Sequence, residues 1–434
     1  MKDKTLFYNR MQDIYKDEYD EFLKALEDKP ISSFYINSLK DSKENILHEI
    51  GFKYKEGRYN PDSYYYEDVQ IGKTIANDLG LIYPQEMSAS IPSLILNPKE
   101  NSCIVDMCSA PGGKSINLAC ISKDSGILIS NEYEYKRAMI LTSNLERMGI
   151  SNVIVTNKNG DDLAVSLMGV ADYVLLDAPC SGEGMIRKNH EIIDNYSMDN
   201  IELCSLRQKQ LIENAYDILK EGGYLVYSTC TYAKEENEDI VHDFLKRHED
   251  MELMTIDNRF IRRGINDPNM VRFTVLDGTE GQFVSLMRKN SAGFSKKMTY
   301  KKPVRNKIIE EFIKENLCLD EYYIYEQNGY YYMSLKPLWD LGKNVLRYGI
   351  YIGEIKKNIF YPSHNLFRSN ALRNCFKKVI ELNDEEYLKY RSGLNLYHED
   401  ANGYYLLTYH GYAFAYTKAT KGDLKNKYPK GLRY

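Results

Sequence analysis

Five short apolar runs constrain the middle of this chain: "CIVDM" (103–107), "GILISNE" (126–132), "NVIVT" (152–156), "YVLLDAP" (173–179) and "GYLVYST" (223–229). They are nearly continuous in apolar residues, and helix-like stretches separate them. Such runs are the strands of a parallel sheet covered by helices on both faces. The expected class is therefore α/β, a doubly wound, Rossmann-like domain over 81–289, with ligands at the carboxyl ends of its strands. Residues 1–80 read as a mostly helical, polar extension with one strand-like piece, "SSFYINSL". The small, polar, basic stretch 290–303 reads as a linker. Residues 304–434 read as a small α+β region, with hairpins at Asn328-Gly329 and Asn402-Gly403 because both residues of such a pair accept positive φ.

Charge is unevenly spread. The net charge of −5 divides into 24 Lys+Arg against 15 Asp+Glu in residues 291–434, and 33 against 47 before them. In the last stretch, 418–434, six Lys and Arg oppose only Asp423. A basic end on an acidic body fits a polyanion-binding module, though drift in surface composition would look similar. The N-terminus has no apolar signal segment, and no apolar run is long enough to span a bilayer. A cytoplasmic protein without a membrane partner is expected. None of the eight cysteines forms a C-x-x-C pair, so neither a zinc site nor a disulfide framework is expected.

"IVDMCSAPGGKSINLA" (104–119) is a strand, a Gly-Gly turn and a helix start. Gly112 and Gly113 let backbone approach a ligand. The turn is not a P-loop, since Cys108 stands where that motif needs glycine, and adjacent glycines do not make G-x-G-x-x-G. Glu132 ends the second apolar run, where a carboxylate can bind a ribose diol. A ribose without a phosphate motif favours a nucleoside-like cofactor, and S-adenosyl-L-methionine fits. A merely solvent-facing Glu132 is the plainer alternative.

Two thiols then stand out. Cys180 in "DAPCSGEG" (177–184) and Cys230 in "YSTCTY" (227–232) each occupy a polar turn after a strand. Either alone reads as core packing. Together, beside a nucleoside-type turn, they read as reactive groups. A thiolate that adds to carbon 6 of cytosine makes the unactivated carbon 5 nucleophilic. Asp177, three residues before Cys180, could stabilise charge at N3 in protonated form, or position the base. A second thiol could assist expulsion of the first.

"DMCSAPGGKS", "LLDAPCSGEGM" and "YSTCTYAKEENE", in that order, resemble the motifs of the Sun family of RNA cytosine-5 methyltransferases, as does "IYPQEMSASIPSLIL" (82–96). The likeness covers roughly residues 20–290. "VLRYGIYIGEIKKNIFYPSH" and "TKGDLKNKYPKGLRY" resemble the RNA-binding tail of the RsmF/YebU-like subgroup, which modifies 16S ribosomal RNA. The resemblance implies that Cys230 is the nucleophile and Cys180 the thiol that helps release product. It implies that Cys108, Ser109, Ala110, Pro111, Gly112, Gly113 and Lys114 hold the methionine end of S-adenosyl-L-methionine, that Glu132 takes the ribose, and that Asp177 lies between cofactor and base. Asn159, with Asp161 nearby, stands where the family often has an adenine-contacting Asp. It implies a methyltransferase domain between an N-terminal RNA-binding extension and a C-terminal, PUA-like RNA-binding region, with no metal. Arg187 and Lys188 read either as phosphate contacts or as a solvated helix face, and "EENE" (235–238) as acids favouring a helix dipole. The implied partner is RNA, 16S ribosomal RNA or the small subunit. Transfer RNA as substrate, and a non-catalytic ribosome assembly factor, are the rival expectations.

Overall fold

The computed structural model describes residues 4–257, 259–260, 262–291 and 293–433. Each of the five apolar runs forms a strand: β1 (Cys103–Asp106), β2 (Ile127–Asn131), β3 (Val153–Thr156), β4 (Ala171–Asp177) and β5 (Leu219–Thr229). All five lie parallel, in the order β5-β4-β1-β2-β3. Antiparallel strands extend this sheet to ten on its two sides, beginning with β6 (Gln282–Lys289) beside β5 and β7 (Val345–Tyr348) beside β3. Helices α1 (Gly113–Ile121), α2 (Tyr135–Arg147), α3 (Gly160–Leu167), α4 (Met198–Ile218) and α5 (Glu238–Arg247) lie between its strands in sequence. Two apolar clusters contain the inward side chains of the two faces, Val105, Val174 and Leu176 in one and Ile104, Leu175 and Val226 in the other. Burial on both faces explains why these strands lack alternation. The direction of strand succession reverses between β1 and β4, which opens a crevice at their carboxyl ends.

The N-terminal region is richer in strands than the sequence indicates. Strands Tyr54–Glu56, Ser63–Tyr66, Ser32–Ile36 and Ile82–Pro84 form a four-stranded sheet in that order. Tyr64 stacks on Phe34 across it at 5.6 Å. The exposed edge strand Tyr54–Glu56 carries no apolar period to betray it.

The C-terminal region contributes β7 to the central sheet and builds two small sheets of its own. Asn328 and Gly329, at φ 53° and 82°, turn the hairpin between Tyr323–Gln327 and Tyr330–Ser334. Asn402-Gly403 is not a hairpin turn: Gly403–Tyr409 pairs with Tyr412–Thr420 through His410-Gly411, which also takes positive φ. The preceding strand, Leu396–Tyr397, pairs instead with Asp423–Asn426. N- and C-terminal residues share one core, in which Phe34, Ile36 and Leu79 pack with Tyr387, Phe414 and Tyr428. At its centre the buried Asp78 accepts hydrogen bonds from Tyr428 (2.5 Å) and Tyr387 (2.7 Å) and pairs with Arg391. Among the described residues no helix is long and apolar enough to cross a membrane, and no group of His, Cys, Asp and Glu is arranged to hold a metal ion.

Candidate active site

The carboxyl ends of β1, β2, β4 and β5 bring the singled-out residues toward one crevice. After β1, Gly112 adopts φ +116°, a conformation costly for any side chain, and α1 begins at Gly113. Ser109 donates its backbone N–H to Asn131 at the end of β2, and the Ala110 and Pro111 carbonyls accept from Arg137 and Asn144 of α2. The turn is thus clamped to the neighbouring strand and helix. Glu132, 4% exposed, accepts from the Glu134 N–H at 2.9 Å and lies 3.4 Å from Arg137.

At the end of β4, Asp177 receives three donors: Lys114 Nζ on Oδ2 at 2.7 Å, and Ser228 Oγ (2.7 Å) and Gln282 Nε2 (3.3 Å) on Oδ1. Both of its oxygens are engaged, which fixes the carboxyl group's orientation in the crevice.

The sulfurs of Cys180 and Cys230 are 3.3 Å apart. A hydrogen bond from the Cys180 thiol, helped by the Lys114 ammonium, draws Cys230 below the ordinary thiol value against burial and the Asp177 and Glu236 carboxylates. That same bond, with burial, pushes Cys180 well above it. The pair is thus asymmetric: the Cys230 thiol is the easier of the two to ionise. Two carboxylates hold the loops in this relation. Glu236, past Cys230, accepts from the Ser181 N–H (3.0 Å) and from Gln208 (2.8 Å). Glu183, past Cys180, accepts from Thr231 Oγ1, from the Tyr232 N–H (both 2.9 Å) and from Tyr196 (2.6 Å). Each cysteine loop is braced by an acid from the other.

Three family models match the chain. Residues 93–288 match the model described as 16S rRNA methyltransferase RsmB/F, residues 4–87 that for the N-terminal domain of 16S rRNA methyltransferase RsmF, and residues 377–434 that for the methyltransferase RsmF PUA domain. The chain belongs to the RsmB/F methyltransferase family. It is 28% identical over 429 residues to a ribosomal RNA small subunit methyltransferase F of Shewanella amazonensis, covering 92% of this chain and 91% of that protein. A ribosomal RNA small subunit methyltransferase F of Vibrio vulnificus is also 28% identical, over 95% of this chain and 93% of its own length. The crystal structure of a methyltransferase homologue from Pyrococcus horikoshii superposes with a TM-score of 0.59 at 29% identity, covering 65% of this chain and 94% of that one.

Within this RsmB/F-family chain, some residues sit differently from expectation. Asn159 caps α3, its Oδ1 accepting from the Asp162 N–H at 2.8 Å, which leaves its amide N–H₂ as the donor it can offer. Asp161 is held on α4 by Asn214 (3.0 Å) and Gln210 (3.2 Å). Arg187 is neither a phosphate contact nor a solvated residue. Its guanidinium pairs with Glu280 at 3.0 Å with side-chain exposures of 3% and 1%, and it donates to the Thr279 carbonyl. "EENE" does more than favour a dipole, since Glu236 carries the brace and Glu238 pairs with the buried Arg272. Sequence reasoning missed Glu183 and Glu236 as site residues. The available signal was a carboxylate three residues past one cysteine and six past the other.

The crevice fits S-adenosylmethionine. Glu132 can accept from a ribose diol. The buried Oδ1 of Asp106, at the end of β1, has no partner within the protein and is open to a donor. Burial lifts the Asp106 carboxyl to about 7.

Proposed function

We propose that this chain transfers a methyl group from S-adenosylmethionine to carbon 5 of cytosine in RNA, with 16S ribosomal RNA or the small subunit as substrate. The observation that carries this reading is the thiol pair: two sulfurs 3.3 Å apart, shifted in opposite directions, beside the Lys114–Asp177 ion pair. Residues 108–114, Glu132 and the Asn159 amide would hold the cofactor, which supplies an electrophilic methyl group.

Cys230 attacks carbon 6, and the negative charge displaced toward N3 is offset by the Lys114 ammonium, which Asp177 holds in place. Carbon 5 becomes the nucleophile. Once it carries the methyl group, with S-adenosylhomocysteine as the leaving group, its proton passes to solvent water while the Cys230–carbon 6 bond breaks and the sulfur recovers its electron pair. Cys180 is placed to serve that release. The PUA-domain match and the basic C-terminal region support an RNA partner.

The test is tritium transfer from labelled S-adenosylmethionine to 16S RNA, small subunits and transfer RNA. Label in 16S RNA or subunits is expected, lost in Cys230→Ala and replaced by a protein–RNA adduct in Cys180→Ala. Label in transfer RNA alone would move the substrate while keeping the chemistry. No label in any RNA would overturn the reading.

A further inference from the structure

A groove of about 780 Å³ lies at the opposite end of the sheet from the cysteines. Its floor is the amino ends of β1, β2, β4 and β5, with Cys103, Ile127, Asp172 and Leu219. One wall carries Trp339, half-buried, and Tyr300, 64% exposed, whose backbones form a β-bridge. Lys220, Lys296 and Lys336 also line it.

The groove is a built feature. The segment 293–301 crosses the strand ends as a strap pinned on both sides. Lys296 N–H donates to the Met168 carbonyl and Ser295 Oγ to that of Gly169 (2.8 and 2.9 Å), while Lys301 N–H donates to Leu338 and Thr299 accepts from Asp340 (both 2.8 Å). A Cβ at Gly169 would stand 2.1 Å from the Phe294 carbonyl oxygen, so glycine is required for this approach. The stretch expected to be a linker is therefore the fixed wall of a cavity.

Its chemistry is selective. The strap carries Lys296, Lys297 and Lys301 and no carboxylate. Of the two acids at the groove, Asp172 is neutralised by Lys220 and accepts from the Cys103 N–H, leaving Glu221. Lys336 donates to the carbonyl of Ser125, itself a lining residue, and Lys296 to that of Val165, which restrains both side chains. Each ammonium has three donors. Exposed aromatic rings beside lysines are how proteins hold unpaired bases and their phosphates.

We propose that this groove binds a nucleotide, its base against Trp339 and Tyr300 and its phosphate on Lys296 and Lys336, supplied by a single-stranded stretch of the RNA methylated at the other end of the sheet. The supply of the nucleotide by RNA rests on the proposed function; the nucleotide chemistry does not. The seven residues of β4 separate the two ends by about 20 Å, a distance a folded RNA spans.

Trp339 is the only tryptophan in the chain, so its emission reports on this groove alone. The full-length protein is titrated with a short single-stranded oligoadenylate and, separately, with adenosine monophosphate. Trp339 emission and the anisotropy of end-labelled oligonucleotide are followed together. The oligonucleotide is expected to quench Trp339 saturably. A Lys296→Glu/Lys336→Glu variant raises the midpoint at least about tenfold, and moderate salt weakens binding. Tyr300→Ala, at an exposed site, weakens quenching without charge change. Equal quenching by the mononucleotide would support the nucleotide site and assign it a free ligand. Oligonucleotide bound by anisotropy with unchanged Trp339 emission would overturn the groove and leave the RNA reading intact. Failure of both probes to change Trp339 emission, with no anisotropy change, would overturn the groove and count against RNA binding as well.

Discussion

The Sγ atoms of Cys180 and Cys230 lie 3.3 Å apart although fifty residues separate them in sequence. Parallel pairing of β4 with β5, Asp177 opposite Ser228, brings the loops side by side. Register alone would leave each loop free to move. The exchange of Glu183 and Glu236, reinforced by the Ser181–Thr231 hydroxyl contact and by the Gly184 N–H on the Cys230 carbonyl, joins them into one unit.

The hydrogen bond from Cys180 gives the site a testable pH signature. Because Cys230 sits below the ordinary thiol value, the rate of covalent adduct formation should rise with pH through that lowered value and then level off. Cys180→Ala removes the bond and should move the rising limb alkaline by about 1–2 pH units, the equivalent of a hydrogen bond to a charged group. Cys180→Ser, which keeps a donor, should move it less. Single-turnover adduct formation across pH measures this, and a limb that stays put in Cys180→Ala excludes the role.

Glu236→Ala should leave the Ser181 N–H and the Gln208 amide without their acceptor. The expected loss is about 2–3 kcal/mol of stability, together with slower adduct formation, because the Cys180 loop loses its tether. Urea unfolding and the adduct assay read the two effects. Wild-type stability and rate in the variant would dismiss the brace.

Asp106 links stability to pH. Burial raises its folded value to about 7, well above the unfolded carboxylic acid. Between about pH 4 and 7 the folded state therefore holds the proton that the unfolded chain releases, so this group's contribution falls as pH rises. Asp106→Asn cannot titrate there. Its stability relative to wild type should increase with pH by at most about 1.4 kcal/mol per unit and flatten above 7. Urea midpoints across that range decide it; a constant difference would refute the assignment.

Arg187 and Lys188 are adjacent yet should respond oppositely to alanine. Arg187→Ala strands the buried Glu280 carboxylate and should cost about 3–5 kcal/mol. Lys188→Ala should change stability by less than about 0.5 kcal/mol. Thermal unfolding separates them, and equal small effects would contradict the buried pair.

Tyr428→Phe removes one of the donors on the buried Asp78. A loss of about 1–2 kcal/mol is expected, with faster proteolysis of the C-terminal region, since this bond crosses from the N-terminal to the C-terminal part of the shared core. Unchanged protease resistance would mean that apolar packing alone holds the two together.

The five strands and the Gly112 turn were legible in the sequence because their signals are local: a run of apolar side chains marks a strand buried on both faces, and a glycine marks a backbone that must turn. The placement of the two thiols was legible for the same reason, since both cysteines follow strand ends. The exposed strand Tyr54–Glu56 was not, because an edge strand in water need not alternate. Nor were the reciprocal braces of Glu183 and Glu236, the burial of Arg187, or the strap that turns 293–301 into a cavity wall. These depend on which distant groups meet. A carboxylate reads the same on paper whether it faces solvent or the amide of a loop fifty residues away, and only the packed chain removes the water that makes the difference.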